Sequence, residues 1–237
     1  MRYGLSALLL PALLWLPSAL AQDNEAEKLF RNLEKTIKAA KAIQVAAEIS
    51  TQFQNGKGQE DKFKASLLLT RDNKTQLKLD GETNGEAFNC AITADGQRVR
   101  ASMTGFPEPK EGPLPKKLHD RLSAMTCRLG LMGGVIFVVM RRGGEEAEVD
   151  VEAMMPVTDF KREAGEKVRG RDTTAISYTT AGRGKDKARV TLWLDAKTLL
   201  PLKRVLVGGG ERITETYKEF NLNPTIEAKV FELPKCW

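Results

Sequence analysis

Residues able to do acid–base or metal chemistry are scarce in this chain. Its 237 residues include one histidine, His119. A single imidazole excludes any site that needs several histidines, such as a three-histidine zinc centre. Helical spacing places His119 on the polar side of a predicted helix, beside Lys116, Lys117 and Asp120. We therefore expect an exposed surface histidine and no catalytic one.

The three cysteines, Cys90, Cys127 and Cys236, show no Cys-x-x-Cys spacing. This excludes a dithiol redox motif and a zinc knuckle. If the chain is exported, one disulfide can form, and three pairings are then open. Cys90 falls on the apolar face of a predicted strand and Cys127 in a predicted helix, so we expect both to be buried thiols.

Other catalytic and ligand-binding motifs are also missing. The acidic run at residues 145–150 lacks the ligand spacing of a calcium loop. Gly208-Gly209-Gly210 is not followed by a helical pattern, so it predicts a hairpin apex and no phosphate loop. No Gly-x-Ser-x-Gly, P-loop or His-Glu-x-x-His sequence occurs. The sequence predicts no catalytic residue, no metal and no cofactor, and hence a protein that is not an enzyme.

The N-terminus has the features of a secretory signal peptide. Arg2 precedes an apolar run, and Ala19-Leu20-Ala21 is a small-x-small cleavage site. We predict a signal peptide at residues 1–21 with cleavage after Ala21, a periplasmic or secreted location, and a single domain over residues 22–237. A membrane anchor is the alternative, but the apolar run is short, so we do not expect the mature protein to span a membrane.

The positive charge is spread along the chain. Loss of Arg2 lowers the formal net charge from +6 to +5, and only 6% of all residues are aromatic. Nucleic-acid binding favours a basic stripe with interleaved aromatic residues, which this sequence lacks. We expect no nucleic-acid partner and a monomer, while electrostatic affinity for anionic lipid head groups stays open.

Two kinds of hydrophobic periodicity follow one another. Residues 23–43 have helical spacing, and residues 44–54 then alternate between apolar and polar side chains. Four further alternating segments, separated by short turns, lie at 62–69, 76–80, 88–93 and 98–103. Together these five segments predict an antiparallel meander with one apolar face, and that face must be covered by another layer.

The middle of the chain supplies a candidate cover. Residues 105–115 contain four prolines and predict a linker. An amphipathic helix follows, with a stripe of Leu118, Leu122, Met125, Leu129 and Met132, ending near Gly130 and Gly133-Gly134. An apolar piece at 135–140 and an exposed loop at 141–148 come next. Strands are then predicted at 159–163, 167–169, 173–180, 190–194, 202–207 and 213–220.

A curved sheet covered by a helix that can move could hold an apolar ligand such as an acyl chain. The alternative is that the helix closes the core permanently. The candidate ligand-binding residues are the apolar side chains of the sheet face and of the helix: Val45, Ile49, Leu67, Leu69, Leu77, Leu79, Phe88, Ile92, Met103, Leu118, Leu122, Met125, Leu129, Met132, Leu192 and Leu194.

The C-terminal hairpin carries a resemblance to a known family. Trp193, Asp195, Thr198 and Pro201 form a Trp-x-Asp-x-x-Thr-x-x-Pro hairpin, and residues 213–220 with Phe231-Glu232-Leu233-Pro234 match a closing pattern. With the preceding helix and meander, this resembles the LolA-like periplasmic lipoprotein carriers and the outer-membrane lipoprotein-sorting proteins.

The resemblance implies an α+β fold: a curved antiparallel β-sheet, or open half-barrel, with helices covering its concave apolar face. It implies binding of a lipoprotein acyl chain or another apolar lipid-like ligand. In the carriers an arginine near the first strand locks the helical lid, but residues 44–54 contain no arginine, so that role has no counterpart there. Related proteins of this fold act as envelope sensors, so a module that binds an envelope protein partner is the alternative function.

Overall fold

A computed structural model describes residues 18–53, 60–106, 108–114, 116–140, 150–181 and 186–233. The described residues form three helices, twelve strands and one 3-10 turn at Ala228–Phe231. The helices are α1 Ser18–Ala39, α2 Leu118–Met140 and α3 Val151–Met154. The strands are β1 Ala42–Phe53, β2 Glu60–Thr70, β3 Lys74–Thr83, β4 Glu86–Asp95, β5 Arg98–Met103, β6 Lys110–Pro113, β7 Thr158–Glu163, β8 Lys167–Val168, β9 Arg171–Ala181, β10 Lys187–Asp195, β11 Pro201–Gly208 and β12 Glu211–Leu222.

The strands form one antiparallel sheet that does not close on itself. Its order is β6-β5-β4-β3-β2-β1-β12-β11-β10-β9-β7, with β8 paired to β9 beside this path. Two meanders, one from each half of the chain, are joined where β1 pairs with β12. The expected α+β architecture, an open antiparallel sheet with helices, is confirmed.

Alternation along the strands gives the sheet one buried face. Val45, Leu67, Leu77 and Ile92 lie opposite one another in register across β1 to β4. Each of these side chains is at most 2% exposed. Because successive side chains of a strand point to opposite faces, their sequence neighbours face outward. We call the buried side the concave face.

Helices α1 and α2 pack against the concave face. Phe30 and Ile37 of α1 and Leu118 and Leu131 of α2 belong to the same buried cluster as the sheet side chains. The ring of Phe30 lies 4.7 Å from that of Tyr178 on β9, measured between centroids. The expected helical cover over the apolar face is therefore present.

Several predicted boundaries differ from the structure. The first helix ends at Ala39 rather than residue 43, and Ile43 is a buried residue of β1 because its side chain continues the alternation of that strand. The second helix continues through Gly133-Gly134 to Met140, and its break is at Gly130 alone. The predicted turn at 55–58 and the loop at 141–148 lie outside the described residues.

The predicted proline-rich linker contains strand β6. Lys110 pairs with Ala101 and Pro113 with Arg98, both on β5. Proline lacks a backbone N–H, so it is tolerated in a sheet mainly on an edge strand. β6 is such an edge strand, so the prolines that predicted a linker are compatible with a strand here.

The motif hairpin between β10 and β11 is built around Asp195. Its Oδ1 accepts hydrogen bonds from the backbone N–H groups of Lys197 at 2.9 Å and Thr198 at 2.8 Å. Its Oδ2 pairs with Nη2 of Arg171 at 2.5 Å. The hydrogen bond from the Thr198 N–H is the main cause that lowers the pKa of this carboxyl, with Arg171 adding a further decrease. The aspartate of the motif thus fixes the turn.

Candidate ligand-binding site

Most of the apolar candidate residues meet in one cluster under the helices. Phe88 and Met103 are half-buried and pack against it. The buried members are Val45, Ile49, Leu67, Leu69, Leu77, Leu79, Ile92, Leu118, Leu122, Met132, Leu192 and Leu194. The structure thus brings fourteen of the sixteen candidates together.

Met125 and Leu129 are placed elsewhere. They pack with Ala124, with Val151 of α3 and with Met155 in a separate small cluster. The predicted stripe therefore divides between two surfaces of α2. Helical spacing identified all five residues of the stripe as apolar. Only the folded structure shows that Met125 and Leu129 pack against α3 and the others against the sheet.

Four of the buried polar side chains of the concave face bond to α2 or to one another, and none of the four was among the residues proposed from the sequence. Tyr178 is on β9, Arg204 on β11, and Glu215 and Tyr217 on β12. Each is at most 2% exposed, and Arg204 lies directly opposite Glu215 in the sheet register. We call these four residues the concave polar cluster.

Two members of this cluster hold the first half of α2 by its carbonyl groups. Nη2 of Arg204 donates to the Cys127 carbonyl oxygen at 2.7 Å. The Tyr178 hydroxyl donates to the Arg128 carbonyl oxygen at 2.9 Å. The last carbonyls of a helix segment have no partner within the helix, and here the sheet supplies their donors.

Glu215 holds the second half of α2 by its N–H groups. Its Oε2 accepts from the Leu131 N–H at 3.1 Å, and its Oε1 accepts from the Met132 N–H at 2.9 Å. The Tyr217 hydroxyl donates to Oε2 at 2.5 Å. A carboxylate at the start of a helical segment also interacts favourably with the helix dipole.

Gly130 makes this arrangement sterically feasible. Its φ of +84° and ψ of −171° lie in a region that is essentially restricted to glycine. A Cβ at this position would stand 2.1 Å from Oε2 of Glu215. The break in α2 therefore depends both on the conformational freedom of glycine and on the space that a missing side chain leaves for the carboxylate.

Burial and neighbouring groups shift the pKa values of the two phenols and of Arg204. Burial raises the pKa of the Tyr178 and Tyr217 phenols well above their ordinary value. Burial also opposes the charge of Arg204, but Tyr217, Tyr178 and Glu215 together raise the pKa of its guanidinium. Near neutral pH both phenols are therefore neutral donors, and Arg204 is a cation.

A second buried ion pair ties α2 to α1 and α3. Nε of Arg128 donates to Oε1 of Glu34 at 2.8 Å, and both side chains are less than a tenth exposed. Nη1 of Arg128 donates to the Met155 carbonyl oxygen at 2.6 Å. Helix α2 is thus fixed on both sides of its axis by buried arginine contacts.

The expectation of an exposed His119 is wrong. The residue is 2% exposed, because the first turn of α2 packs onto the turn between β2 and β3. The His119 backbone N–H donates to Oδ1 of Asn73 there at 3.0 Å. Its ring Nδ1 lies 3.2 Å from Oδ1 of Asp120. His119 therefore fixes the start of the helix.

Cys90 and Cys127 are free and buried, as expected, while Cys236 lies outside the described residues. Burial raises the pKa of the Cys90 thiol to about 11 and that of Cys127 to about 12. Among the described residues, no group of three or more His, Cys, Asp or Glu side chains is placed to hold a metal ion. In the same part of the chain, no helix is both long and apolar enough to cross a bilayer.

Two open depressions lie on the opposite, outer face of the sheet. The larger, of about 670 Å³, is lined mainly by polar and charged side chains, including Glu48, Lys62, Lys64 and Asp80. The smaller, of about 220 Å³, includes Gln44, Ser66 and Leu68. Charged linings suit water better than an acyl chain. The concave face is the better candidate for an apolar ligand.

Comparison with known proteins identifies the fold. No protein-family model and no curated protein matches this sequence. Among solved structures, LprF from Mycobacterium bovis is 14% identical with a TM-score of 0.50, over 86% of this chain and 96% of that chain. Lipoprotein LppX from Mycobacterium tuberculosis is 15% identical with a TM-score of 0.49, over 86% and 100%. A LolA superfamily protein, NE2245 from Nitrosomonas europaea, is 13% identical with a TM-score of 0.35, over 88% and 97%. The likeness to LprF concerns the fold alone, and it agrees with the open antiparallel sheet and helices that the hairpin resemblance implied.

Proposed function

We propose that this protein is an exported, non-enzymatic binding or carrier protein for an acylated, lipid-like ligand. The ligand occupies the concave face when α2 moves away from it. The observation that carries the proposal is the way α2 is held: its main chain, at the Gly130 break, is bonded to a cluster of polar side chains inside an apolar face.

A permanent core has no need of these groups. Buried ion pairs often stabilise a protein less than apolar side chains of the same size would. Hydrogen bonds to a helix backbone can be exchanged for bonds to water or to a ligand, whereas interlocked apolar packing offers no such exchange. The concave polar cluster therefore favours a cover that can be released over one that closes the core permanently.

The shape of the concave face supports a hydrocarbon ligand. The buried row Val45, Leu67, Leu77 and Ile92 crosses four neighbouring strands. At about 4.8 Å between strands, this row is about 14 Å long, which suits an extended acyl chain. The predicted signal peptide and the sequence resemblance to lipoprotein carriers agree with such a ligand in the cell envelope.

The test begins with native mass spectrometry of protein purified from the envelope, together with titration of a fluorescent fatty acid. We expect a bound lipid mass, or saturable binding of the probe after lipid has been removed. A matched pair of variants then locates the site. Met103→Gln places an amide at the edge of the concave cluster, whereas Leu68→Gln alters a half-buried residue of the outer face.

Met103→Gln should weaken probe binding about tenfold, since a polar amide beside an acyl chain costs about 1–3 kcal/mol. Leu68→Gln should leave binding unchanged. Absence of both co-purified lipid and probe binding would refute the proposal. Capture of a specific envelope protein in the same preparations would then favour the sensor or scaffold alternative.

A further inference from the structure

Arg204 has donor groups that the closed structure leaves unused. Its Nη2 bonds to the Cys127 carbonyl oxygen. Its Nε and Nη1 are buried and find no acceptor among the described residues. A buried donor without a partner costs about 1–3 kcal/mol, and more when it is charged. An acceptor carried by a ligand would satisfy these two donors.

The charges around Arg204 define which acceptor fits. Glu215 lies directly opposite Arg204 in the sheet register and is one of the groups whose charge acts on the guanidinium. An anionic ligand would bring a second negative charge close to Glu215 in a buried site, which is costly. A neutral carbonyl oxygen accepts the free N–H groups without that cost.

We propose that Arg204 binds the carbonyl oxygen of an ester- or amide-linked acyl chain, which takes the place of the Cys127 carbonyl. This inference rests on the proposed function. In the closed protein the guanidinium donates to the helix. When α2 is displaced, the same Nη2 and the two unused nitrogens face the space that the helix has left.

This exchange couples the ligand to the cover. The Cys127 carbonyl and the ligand carbonyl compete for one donor, so an acyl ester favours the open arrangement more than a plain hydrocarbon of equal length. It also orients the ligand. The carbonyl group of the ligand lies at Arg204 on β11, and its acyl chain extends over the apolar side chains of the neighbouring strands.

The experiment compares two probes, methyl palmitate and hexadecane, each displacing a fluorescent acyl probe from the full-length mature protein. Arg204→Met removes the donors but keeps an unbranched side chain. Arg189→Met is the control, because Arg189 bonds to Ser177 and the Asp159 carbonyl, away from α2.

We expect Arg204→Met to reduce the preference for methyl palmitate over hexadecane about tenfold, the value of a hydrogen bond to a charged group. Arg189→Met should keep the wild-type preference. An unchanged preference in Arg204→Met, with both probes still bound, would overturn this inference and leave the proposed function intact. Binding of neither probe to the wild-type protein would refute the proposed function itself.

A measurement on the wild-type protein does not depend on the folding of any variant. The infrared carbonyl band of isotope-labelled methyl palmitate should move to lower frequency on binding, relative to the ester in hexane, because a cationic donor weakens the carbonyl bond. A bound ester whose band stays at the hexane frequency would overturn the assignment to Arg204. A second arm with palmitate tests the charge argument: palmitate should bind more weakly than its methyl ester, and tighter binding of the anion would contradict a neutral acceptor.

Discussion

Replacement of Gly130 by alanine is the sharpest perturbation of the contact between α2 and the sheet. The new Cβ would stand 2.1 Å from Oε2 and 2.6 Å from Oε1 of Glu215. These are the two oxygens that accept the Leu131 and Met132 N–H groups. Alanine therefore cannot occupy this site while the carboxylate stays where it is.

The magnitude follows from two effects. An alanine forced into this backbone conformation costs about 1–3 kcal/mol. Displacement of the carboxylate removes two hydrogen bonds to a charged group, each contributing about 1.5–3 kcal/mol. We expect Gly130→Ala to lower the free energy of unfolding by about 4 kcal/mol or more, a large part of the about 5–15 kcal/mol typical of a domain.

Gly170→Ala is the matched control. Gly170 also has a positive φ, of +77°, but a Cβ there would have no heavy atom within 4 Å. This variant should lose only about 1–2 kcal/mol, the cost of left-handed backbone for an L-residue. Urea denaturation followed by circular dichroism measures both changes, provided that the slope of the transition stays the same.

Equal losses in the two alanine variants would refute the reasoning. In that case the Glu215 contact would contribute nothing to holding α2, and only backbone strain would be measured. A difference of about 2 kcal/mol or more between the variants supports the steric and hydrogen-bonding role of the Gly130 break.

Three further predictions concern buried charge, thiols and pH. Glu34→Leu should lower the free energy of unfolding by about 3 kcal/mol or more, because Arg128 then stays buried without its carboxylate partner. Adding Arg128→Met should recover part of this loss in urea denaturation. A double variant whose loss equals the sum of the two single losses would contradict the pairing. Cys90 and Cys127 should resist maleimide at about pH 8 in the folded protein, since burial raises the pKa of both thiols, and they should react only in urea. Rapid labelling of the native protein, detected by mass spectrometry, would argue against their burial. Asp195→Asn should destabilise the protein at neutral pH, because the lowered pKa of Asp195 contributes stability above the ordinary carboxyl pKa. This contribution is lost as the pH falls through the folded-state pKa, so the variant and the wild type should become equally stable. A stability difference that persists at about pH 2 would refute this assignment.

The strands could be predicted from alternation because each has one apolar and one polar face. The row from Val45 to Ile92 was identified in this way, and the structure confirms its burial. The predicted boundary was wrong where the helical pattern runs into the alternating one, because Ile43 fits both and lies in β1. The edge strand β6 was missed because the four prolines of residues 105–115 predicted a linker. An edge strand tolerates proline, since only one of its sides pairs with the rest of the sheet.

The concave polar cluster could not be found from the sequence for a different reason. Arg204 and Glu215 each lie in a strand with polar neighbours, and periodicity assigns charged residues to the wet face. Only the register that sets β11 against β12 brings them together under α2. Two signals were present: Arg204 shares the parity of buried Leu202, and Gly130 interrupts an otherwise apolar helix.

The fate of His119 illustrates the same limit. Its lysine and aspartate neighbours predicted an exposed position, but the docking of the helix start on Asn73 buries it. Tertiary contacts between segments 46 residues apart decide this, and no local pattern records them.

The central claim is that the concave face under α2 holds the ligand, and photo-crosslinking tests it most directly. A long-chain acyl ester with a diazirine at the end of its chain is bound to the wild-type protein, irradiated, and mapped by residue-level mass spectrometry. We predict crosslinks to inward-facing residues such as Leu67, Leu77 and Ile92. Crosslinks confined to outward-facing residues such as Lys62, Lys64 and Leu68 would contradict the claim.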